Sequence, residues 1–582
     1  LAYYVPAPYN PDDIFPVQTQ AGTPDDIQVT QDQLQLQHQK LLQAFTQELT
    51  TLNHGDNAVI IDQLLFLFEK YLTTVNAAAE STYPDISLYD HSKTIAALAH
   101  CFAACDDPAT PFLLLSADIS GIQRFIYDEK PKEGDTGGKA KRLRGKSFYI
   151  SLLTDTVSDM MLRDASLTRA NLLMNGGGHF VIIAPNSNLI RDTFAKKQRD
   201  AEDWFFRAFR GELNIVFATL EASDDLYRHY SAWHERITLA LQQAKKKKSW
   251  SILEDVFNRK YNAADHSIFA TQVFEQDRSS SYNEMNEYER FIFHQDNLFE
   301  KIGFHIPYAG FLIQAFGGDP KQKQLPGKKS IIPFAGFGIW WTFADTLHEA
   351  VQIIAELSKS GADYIRVTAL NRVPLPEDRS AIAAALTPDT ASHCGLSLGF
   401  RHIGSNTPQD AGAVLEYHDI SLLDDTDLGH TRRLKYSLLG ILRMDVDNLG
   451  AIFGFGLRLP GGGKGIESLS RIVNLSRDLN RFFLGYINTL ARRRNIYITY
   501  SGGDDLFVTG SWINCLHFAG DVKHALDLYS GHNPSVSISA GLFLTKPDYP
   551  VGRAAQFAGV WLEDAKNLQN RQKNRIKVFD RV

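Results

Sequence analysis

Twice in this chain an apolar run ends in an aspartate, and a strand–glycine–strand hairpin follows just under sixty residues later. No other feature narrows the fold as much. In the first copy, Phe112-Leu-Leu-Leu-Ser-Ala-Asp118 leads into a helix and the hairpin is centred on Gly176-Gly177-Gly178-His179. In the second, Leu438-Leu-Gly-Ile-Leu-Arg-Met-Asp445 leads towards Tyr500-Ser501-Gly502-Gly503-Asp504-Asp505. From Asp118 to Gly177 is 59 positions, and from Asp445 to Gly503 is 58. Each copy continues into a helix and a last strand, at Leu213–Leu220 and Ser535–Leu542. Such repetition marks a duplicated unit, and the order strand, helix, strand, strand, helix, strand is the ferredoxin-like one. The predicted fold class is α+β: two ferredoxin-like palm (βαββαβ) domains in tandem, at 111–223 and 435–582, with helical and mixed α/β insertions between and before them. A lead-in and helical segment fills 1–110, and a mixed region with a linker fills 224–434.

The two hairpins differ in chemistry. In the second, Asn495–Tyr500 and Leu506–Thr509 are rich in β-branched and aromatic residues, and the glycines supply the positive φ of a tight turn. Asp504 and Asp505 at its tip repel one another and resist desolvation. A bound divalent cation removes that cost. Upstream, Asp445 and Asp447 end the apolar run and, on a strand, share one face. An acidic strand end beside an acidic hairpin is how palm-type nucleotidyl transferases and cyclases hold two Mg²⁺ ions against a triphosphate. Gly-Gly-Asp alone is weak, since Gly317-Gly318-Asp319 repeats it as a turn. Joined to the acidic strand, it predicts a metal site. The first copy has Gly178 and His179 where the second has Asp504 and Asp505. It keeps glycines that allow close backbone approach to a ligand, without the carboxylates.

At 582 residues the chain exceeds one core. Its 44% hydrophobic and 22% charged residues describe an ordinary folded protein. No apolar run approaches the ~18 residues of a membrane span, and no signal peptide is visible. The chain opens Leu1-Ala-Tyr-Tyr without an initiator Met, so it is expected to start partway into a longer product. A net charge of −7 argues against a free-standing, non-specific nucleic-acid binder. It leaves room for RNA held mainly by partner subunits. Cys101, Cys105, Cys394 and Cys515 form no CxxC, which supports neither a disulfide framework nor a cysteine-rich zinc site. A cytoplasmic protein is expected.

Elsewhere, residues 1–30 read as a linker or extended lead-in, followed by helices at Gln31–Leu52, Ala58–Val75 and Lys93–Ala104. Asp90-His91 and His418-Asp419 are expected as cap or turn residues. Tyr227–Lys248 reads as a helix and Gln276–Gln295 as polar and irregular. Gly310–Phe316, Ile331–Trp341 and Tyr364–Leu370 read as strands, Ala344–Leu357 as a helix, and Thr387–Asp427 as mostly linker. The lysine runs Lys245–Lys248 and Lys321–Lys329 are expected as solvated faces. Leu459–Gly465 fails the P-loop frame, because Arg458 stands at the first Gly position and Gly465 at the Ser/Thr; a flexible loop is expected. The arginines of the helix Glu467–Arg494, among them Arg471, Arg477 and Arg481, are expected on a mostly solvated face. Lys566, on the last helix, is either a point charge for a triphosphate or a surface lysine.

Asp118-Ile-Ser-Gly-Ile-Gln-Arg-Phe-Ile126, Leu143-Arg-Gly-Lys-Ser-Phe148, Leu442-Arg-Met-Asp-Val-Asp-Asn-Leu-Gly450 and Ser501-Gly-Gly-Asp-Asp505 together resemble the large, signature subunit of type III CRISPR–Cas effector complexes, closer to the Csm type than the Cmr type. Asp85–Lys93 also looks like that family, and similarity runs from about residue 30 to the end. The resemblance implies synthesis of cyclic oligoadenylates from ATP when guide RNA pairs with a foreign transcript. It implies Mg²⁺ or Mn²⁺ at Asp445, Asp504 and Asp505, with Asp447 a weaker ligand. Gly502 and Gly503 would admit the donor nucleotide, Asn448 and Lys566 would contact it, and Ser120, Gln123, Gly176, Gly177 and Gly178 would line the acceptor ATP pocket. The implied partners are CRISPR guide RNA, target RNA, and Cas5-like, Cas7-like and small subunits, with no membrane.

Three departures from the family pattern shape the expectations. No HD nuclease signature is found, so no deoxyribonuclease activity is expected of this chain. Around Glu275–Phe299, where the family carries a zinc element, there are no cysteines, so no zinc is expected. The chain ends at Val582, soon after the palm's last strand, which leaves attachment to the small subunits open. The competing readings are related palm chemistry giving another adenylylated or dinucleotide product, and a catalytically silent scaffold for the guide RNA complex.

Overall fold

The computed structural model describes residues 2–579 except 19–30, 53–56, 78–84, 128–137, 253–286, 319–324, 327–329, 427–429, 434–437, 458–465 and 568–572, with a few stretches of one or two residues besides. Helices α1 (Gln31–Leu49), α2 (Asn57–Leu72) and α3 (Leu88–Ala104) come first. Helix α3 starts ahead of the expected Lys93 because the Ser87 side chain accepts a hydrogen bond from the Asp90 backbone N–H and caps it. Asp90 therefore sits in a first helical turn rather than between helices.

The first palm follows as β1 (Phe112–Ser120), α4 (Ile122–Tyr127), α5 (Lys139–Asp164), β2 (Leu172–Gly176), β3 (His179–Pro185), α6 (Asn188–Phe209) and β4 (Asn214–Ala222), then α7 (Tyr230–Lys245). Its sheet has the order β2-β3-β1-β4. The middle region contains α8 (Glu287–His305), β5 (Phe311–Gly317), β6 (Ile332–Phe334), β7 (Ile339–Ala344), α9 (Leu347–Lys359), β8 (Ala362–Leu370) and β9 (Gly395–Arg401), the strands ordered β9-β8-β5-β7-β6.

The second palm is β10 (Leu439–Val446), α10 (Leu449–Phe455), α11 (Leu469–Asn480) running on through a π-helical turn, β11 (Tyr497–Gly502), β12 (Asp505–Ser511), α12 (Trp512–Tyr529), β13 (Ile538–Thr545), α13 (Val551–Asn567) and β14 (Ile576–Val578). Its sheet is ordered β11-β12-β10-β13-β14. The α+β class with two palms in tandem is thus the observed architecture. Among the described residues no helix is long and apolar enough to cross a membrane.

Register carries the duplication down to single residues. Asp118 pairs with His179 and Asp445 with Asp505; Gly176 pairs with His179 and Gly502 with Asp505. Both hairpins slip register at the same place, between Leu172 and Met174 and between Ile498 and Tyr500. The palms also interlock. Helix α7 of the first packs on α10 of the second, and α13 of the second packs on α4 of the first. One core joins Leu115 and Ile182 to Ile441 and Phe507, and another joins Leu114 and Val181 to Leu469 and Ile472.

Four expectations need correction. Within Thr387–Asp427, Gly395–Arg401 is a strand lying parallel to β8. Its two glycines concealed it, and they are there because α2 sits on them: a Cβ on Gly399 would lie 2.3 Å from the Phe66 ring, and one on Gly395 2.5 Å from Val59. The polar stretch Gln276–Gln295 lies outside the described residues until Glu287, where α8 begins. That helix meets α5 backbone to backbone, since a Cβ on Gly145 or Gly303 would each lie 1.8 Å from the other helix's carbonyl oxygen. Ile331–Trp341 splits into β6 and β7 at a turn ending in Gly338, whose φ is 63°. The lead-in is docked where it is described: Ile14 is fully buried in the second palm's core, and the Phe15 ring packs edge-on against Tyr486 and Tyr529. The loop Leu459–Gly465 and most of Lys321–Lys329 lie outside the described residues.

The interlock predicts a sensitive position. A Cβ at Gly552, on α13, would lie 2.1 Å from the Tyr127 carbonyl oxygen at the end of α4. Gly552→Ala should force the two backbones apart and lower stability by about 1–3 kcal/mol, read as a drop in the thermal unfolding midpoint.

Candidate functional site

Strand pairing assembles the acidic site. Asp445, near the end of central strand β10, lies directly opposite Asp505, the first residue of β12. Opposed residues in an antiparallel pair share a face about 5 Å apart. Asp504 occupies the hairpin turn, made tight by Gly503 at φ 55° and by the Asp504 N–H donating to the Gly502 carbonyl at 2.6 Å. The Val446 N–H donates to the Asp504 carbonyl at 3.2 Å, tying the turn to β10. Three carboxylates from two distant segments therefore meet at one end of the sheet.

Their charges are balanced in three ways. Lys566 reaches from α13 to the Asp445 carboxylate. Arg443, two residues back on the same strand, pairs with Asp505 at 3.2 Å. Asp504 has no cation of its own among the described residues, and burial together with Asp505 pushes its pKa up to about 6. Burial also raises Asp505, with Arg443 pulling the other way, and its Oδ1 is buried without a partner among the described residues. Burial, with Lys573 and Arg443 close by, pushes the Lys566 ammonium down to about 8. The Asp445 contact opposes that shift, and we take the pair as charged.

Repelling carboxylates, one orphaned oxygen and two tethered cations are what divalent ions would relieve, so these residues fit such ions. Among the described residues no three His, Cys, Asp or Glu side chains converge on one point.

Asp447 departs from expectation. Strand β10 ends at Val446, and the bond from Ser539, the residue paired with Asp445, keeps Asp447 on the Asp445 side. Its carboxylate is fully buried and accepts from Ser537 Oγ at 2.7 Å, Ser539 Oγ at 2.8 Å and the Asn574 N–H at 2.9 Å. Three protein donors leave it little to offer a cation. Asn448 follows at φ 58°, precedes α10, and accepts from Lys573 Nζ at 2.7 Å.

The first palm is the neutral counterpart. His179 stands at the Asp505 position and Ser116 at the Arg443 position, joined at 2.9 Å between Nε2 and Oγ. Burial drives His179 down to about 4, so this pair carries no charge. Asp118 keeps a lysine: Lys245, from α7, meets it at 2.7 Å, as Lys566 meets Asp445. Lys245 is thus not wholly part of a solvated run.

Gly176, Gly177 and Gly178 face Gly502 and Gly503 across a cavity of about 70 Å³ that Tyr500, Arg401 and His402 also line. Ser120 and Gln123 stand outside that lining. The Ser120 hydroxyl donates to the Asn214 carbonyl at 3.4 Å, and Gln123 is exposed on α4. The arginines expected on a solvated face are largely enclosed: Arg477 pairs with Asp90 at 2.8 Å and Arg481 with Asp478 at 3.4 Å.

Sequence reasoning missed Arg443, Lys245 and Lys573. Arg443 had a signal, being a lone cation in an apolar strand two residues before Asp445. Lys245 had one too, its place after the last strand matching that of Lys566.

Two family models match the chain: Csm1 subunit domain B over residues 111–260, and the Cas10/Cmr2 second palm domain over 438–577. A curated relative from Mycobacterium tuberculosis, named CRISPR system single-strand-specific deoxyribonuclease Cas10/Csm1 (subtype III-A), is 28% identical over 559 residues, covering 89% of this chain and 62% of the relative. One of the same name from Enterococcus italicus is 26% identical, covering 85% and 60%. The chain therefore spans about three fifths of these relatives' length. A solved Csm1–Csm4 cassette in complex with cA3 superposes with a TM-score of 0.69 at 22% identity, covering 99% of this chain and 68% of that one. The cassette with one ATP gives 0.67 at 21%, covering 99% and 70%. These likenesses show a shared fold.

The raised Asp504 pKa has a testable sign. A carboxyl held above its unfolded value stabilises the fold when protonated, and that stability is lost as pH rises through about 6. Without divalent metal at pH 7.5, Asp504→Asn should therefore stabilise the chain by about 1–2 kcal/mol. The gain should fade towards pH 4, as thermal melts at both pH values would show.

Proposed function

The chain belongs to the Cas10/Csm1 large-subunit family of type III CRISPR systems, and on that basis we propose that its paired palms join ATP into cyclic oligoadenylates in response to target RNA. The carrying observation is the register that sets Asp445, Asp504 and Asp505 at the end of one sheet, on the hairpin whose Gly502 and Gly503 line a cavity together with Gly176–Gly178 of the other palm. Neighbouring structures of the fold are described with one ATP, cA3 and cA4, which supports ATP as substrate and a cyclic product.

Bound at Asp445, Asp504 and Asp505, Mg²⁺ or Mn²⁺ would neutralise a triphosphate and align attacking and leaving oxygens. The chain's own residues do the rest. Gly502 and Gly503 admit the donor nucleotide to the backbone, and Gly176–Gly178 admit the acceptor. Lys566, released from Asp445, turns its charge to the donor phosphates, with Asn448 beside it. The acceptor 3′-oxygen then forms a bond to the donor α-phosphorus as the bond to pyrophosphate breaks, with positioning and charge supplying most of the rate. Asp447 is assigned to tying β10 to β13 and Asn574 rather than to a metal. Ser120 and Gln123 are assigned to supporting the first palm's edge.

The reading places the chain in the cytoplasm, in a complex with guide RNA, target RNA, a Csm4-type (Cas5-like) subunit, and Cas7-like and small subunits, supported by the Csm1–Csm4 pairing of the neighbours. The deoxyribonuclease activity in the relatives' names is assigned to no described residue, because Asp90, of the Asp90-His91 pair, is committed to Ser87 and Arg477.

The test is product analysis by mass spectrometry after incubating the complex with ATP, Mn²⁺ and target RNA. Asp504→Ala with Asp505→Ala should cut cyclic product by about a hundredfold or more, and normal yield from that double variant would refute the proposal. Lys566→Met should lower turnover by roughly tenfold through lost phosphate contact while leaving the fold intact by circular dichroism.

A further inference from the structure

Beside the palm pocket lies a larger cavity of about 260 Å³, where α2, α3, β2, the middle sheet and α11 meet. Its wall is rich in cations: Lys93, Arg169, Arg366, Arg401, Arg477 and Arg481. Most are ion-paired, two of them with carboxylates that line the same cavity, Asp90 and Asp155. Arg169 and Arg366 share Asp159 at 3.0 and 2.9 Å, Arg366 also binds Asp62 at 2.5 Å, and Arg401 pairs with Asp155. These pairs fasten the wall.

The unpaired groups there are mostly donors. Both ring nitrogens of His402, which is 9% exposed, are buried without a hydrogen-bond partner among the described residues, as is Arg477 Nη1. Lys93 lines the cavity and makes no ion pair among the described residues. Facing them are Glu69 and the unpartnered Asp90 Oδ1. Burial lifts Glu69 to about 7, which weakens it as a competitor for the cations. An ammonium brings three donors, and a guanidinium edge suits phosphate. The remaining wall is flat and apolar, with Phe66, Tyr89 and Phe400.

We propose that this cavity binds a phosphoryl group, free or carried on a nucleotide, between Lys93, Arg477 and His402, as a site separate from the palm pocket. The site goes beyond the proposed cyclase reaction and needs no metal. It shares Asn175, Arg401 and His402 with the palm pocket, so its occupant and a bound nucleotide would touch the same wall.

Isothermal titration of the full chain in EDTA separates it from the metal-dependent palm site. Inorganic phosphate, pyrophosphate and ATP are titrated in turn. Heat with phosphate identifies a free anion, and heat with ATP alone identifies a carried one. In either case Lys93→Met should weaken binding tenfold or more, Glu69→Gln should tighten it, and Lys566→Met should leave it unchanged. The gain expected of Glu69→Gln cannot arise from misfolding. No heat with any of the three, meaning that the cavity holds only water, overturns the proposal. So does binding that Lys566→Met abolishes and Lys93→Met spares. Failure of cyclase activity in the complex would leave this result untouched, so the two readings fail separately.

Discussion

Repulsion between carboxylates at the end of one β-sheet is the constraint around which this protein is arranged. Pairing of β10 with β12 sets Asp445 against Asp505, and the turn adds Asp504. A fold that concentrates negative charge in a partly buried place must offset it. Here the offset comes from Lys566 and Arg443, and Asp504 is left with a pKa raised to about 6.

The duplicated palm shows what happens when that constraint is lifted. Replacing the Arg443–Asp505 pair by Ser116–His179 keeps a cross-strand hydrogen bond at the same register and discards both charges. The hairpin glycines, the register slip and the lysine on the following helix all remain. Fold and chemistry are therefore separable: glycines and slip shape the backbone, while three side-chain positions, Arg443, Asp504 and Asp505, set the charge.

Much of this could be read from the chain alone, because its signals are local. Alternating apolar residues, paired glycines and adjacent aspartates announced the strands and the hairpin tips, and their spacing announced the duplication. What escaped reading depends on distant neighbours. Strand β9 was hidden by Gly395 and Gly399, which exist to seat Val59 and Phe66 of α2. Arg477 looked like a surface residue because nothing nearby in sequence reveals Asp90 across the fold. Asp447 looked like a ligand because nothing nearby in sequence reveals Ser537 and Ser539, whose hydroxyls take up its carboxylate.

The interlocked palms also bear on how the protein is made. The apolar face of the first sheet, with Leu114, Val181 and Val216, is covered in part by Leu469, Ile472 and Val473 of α11. Those residues leave the ribosome long after β4 does, a wait of roughly ten seconds or more at translation speeds. Throughout that interval the nascent first palm displays a sticky surface, and chaperones have a defined target there.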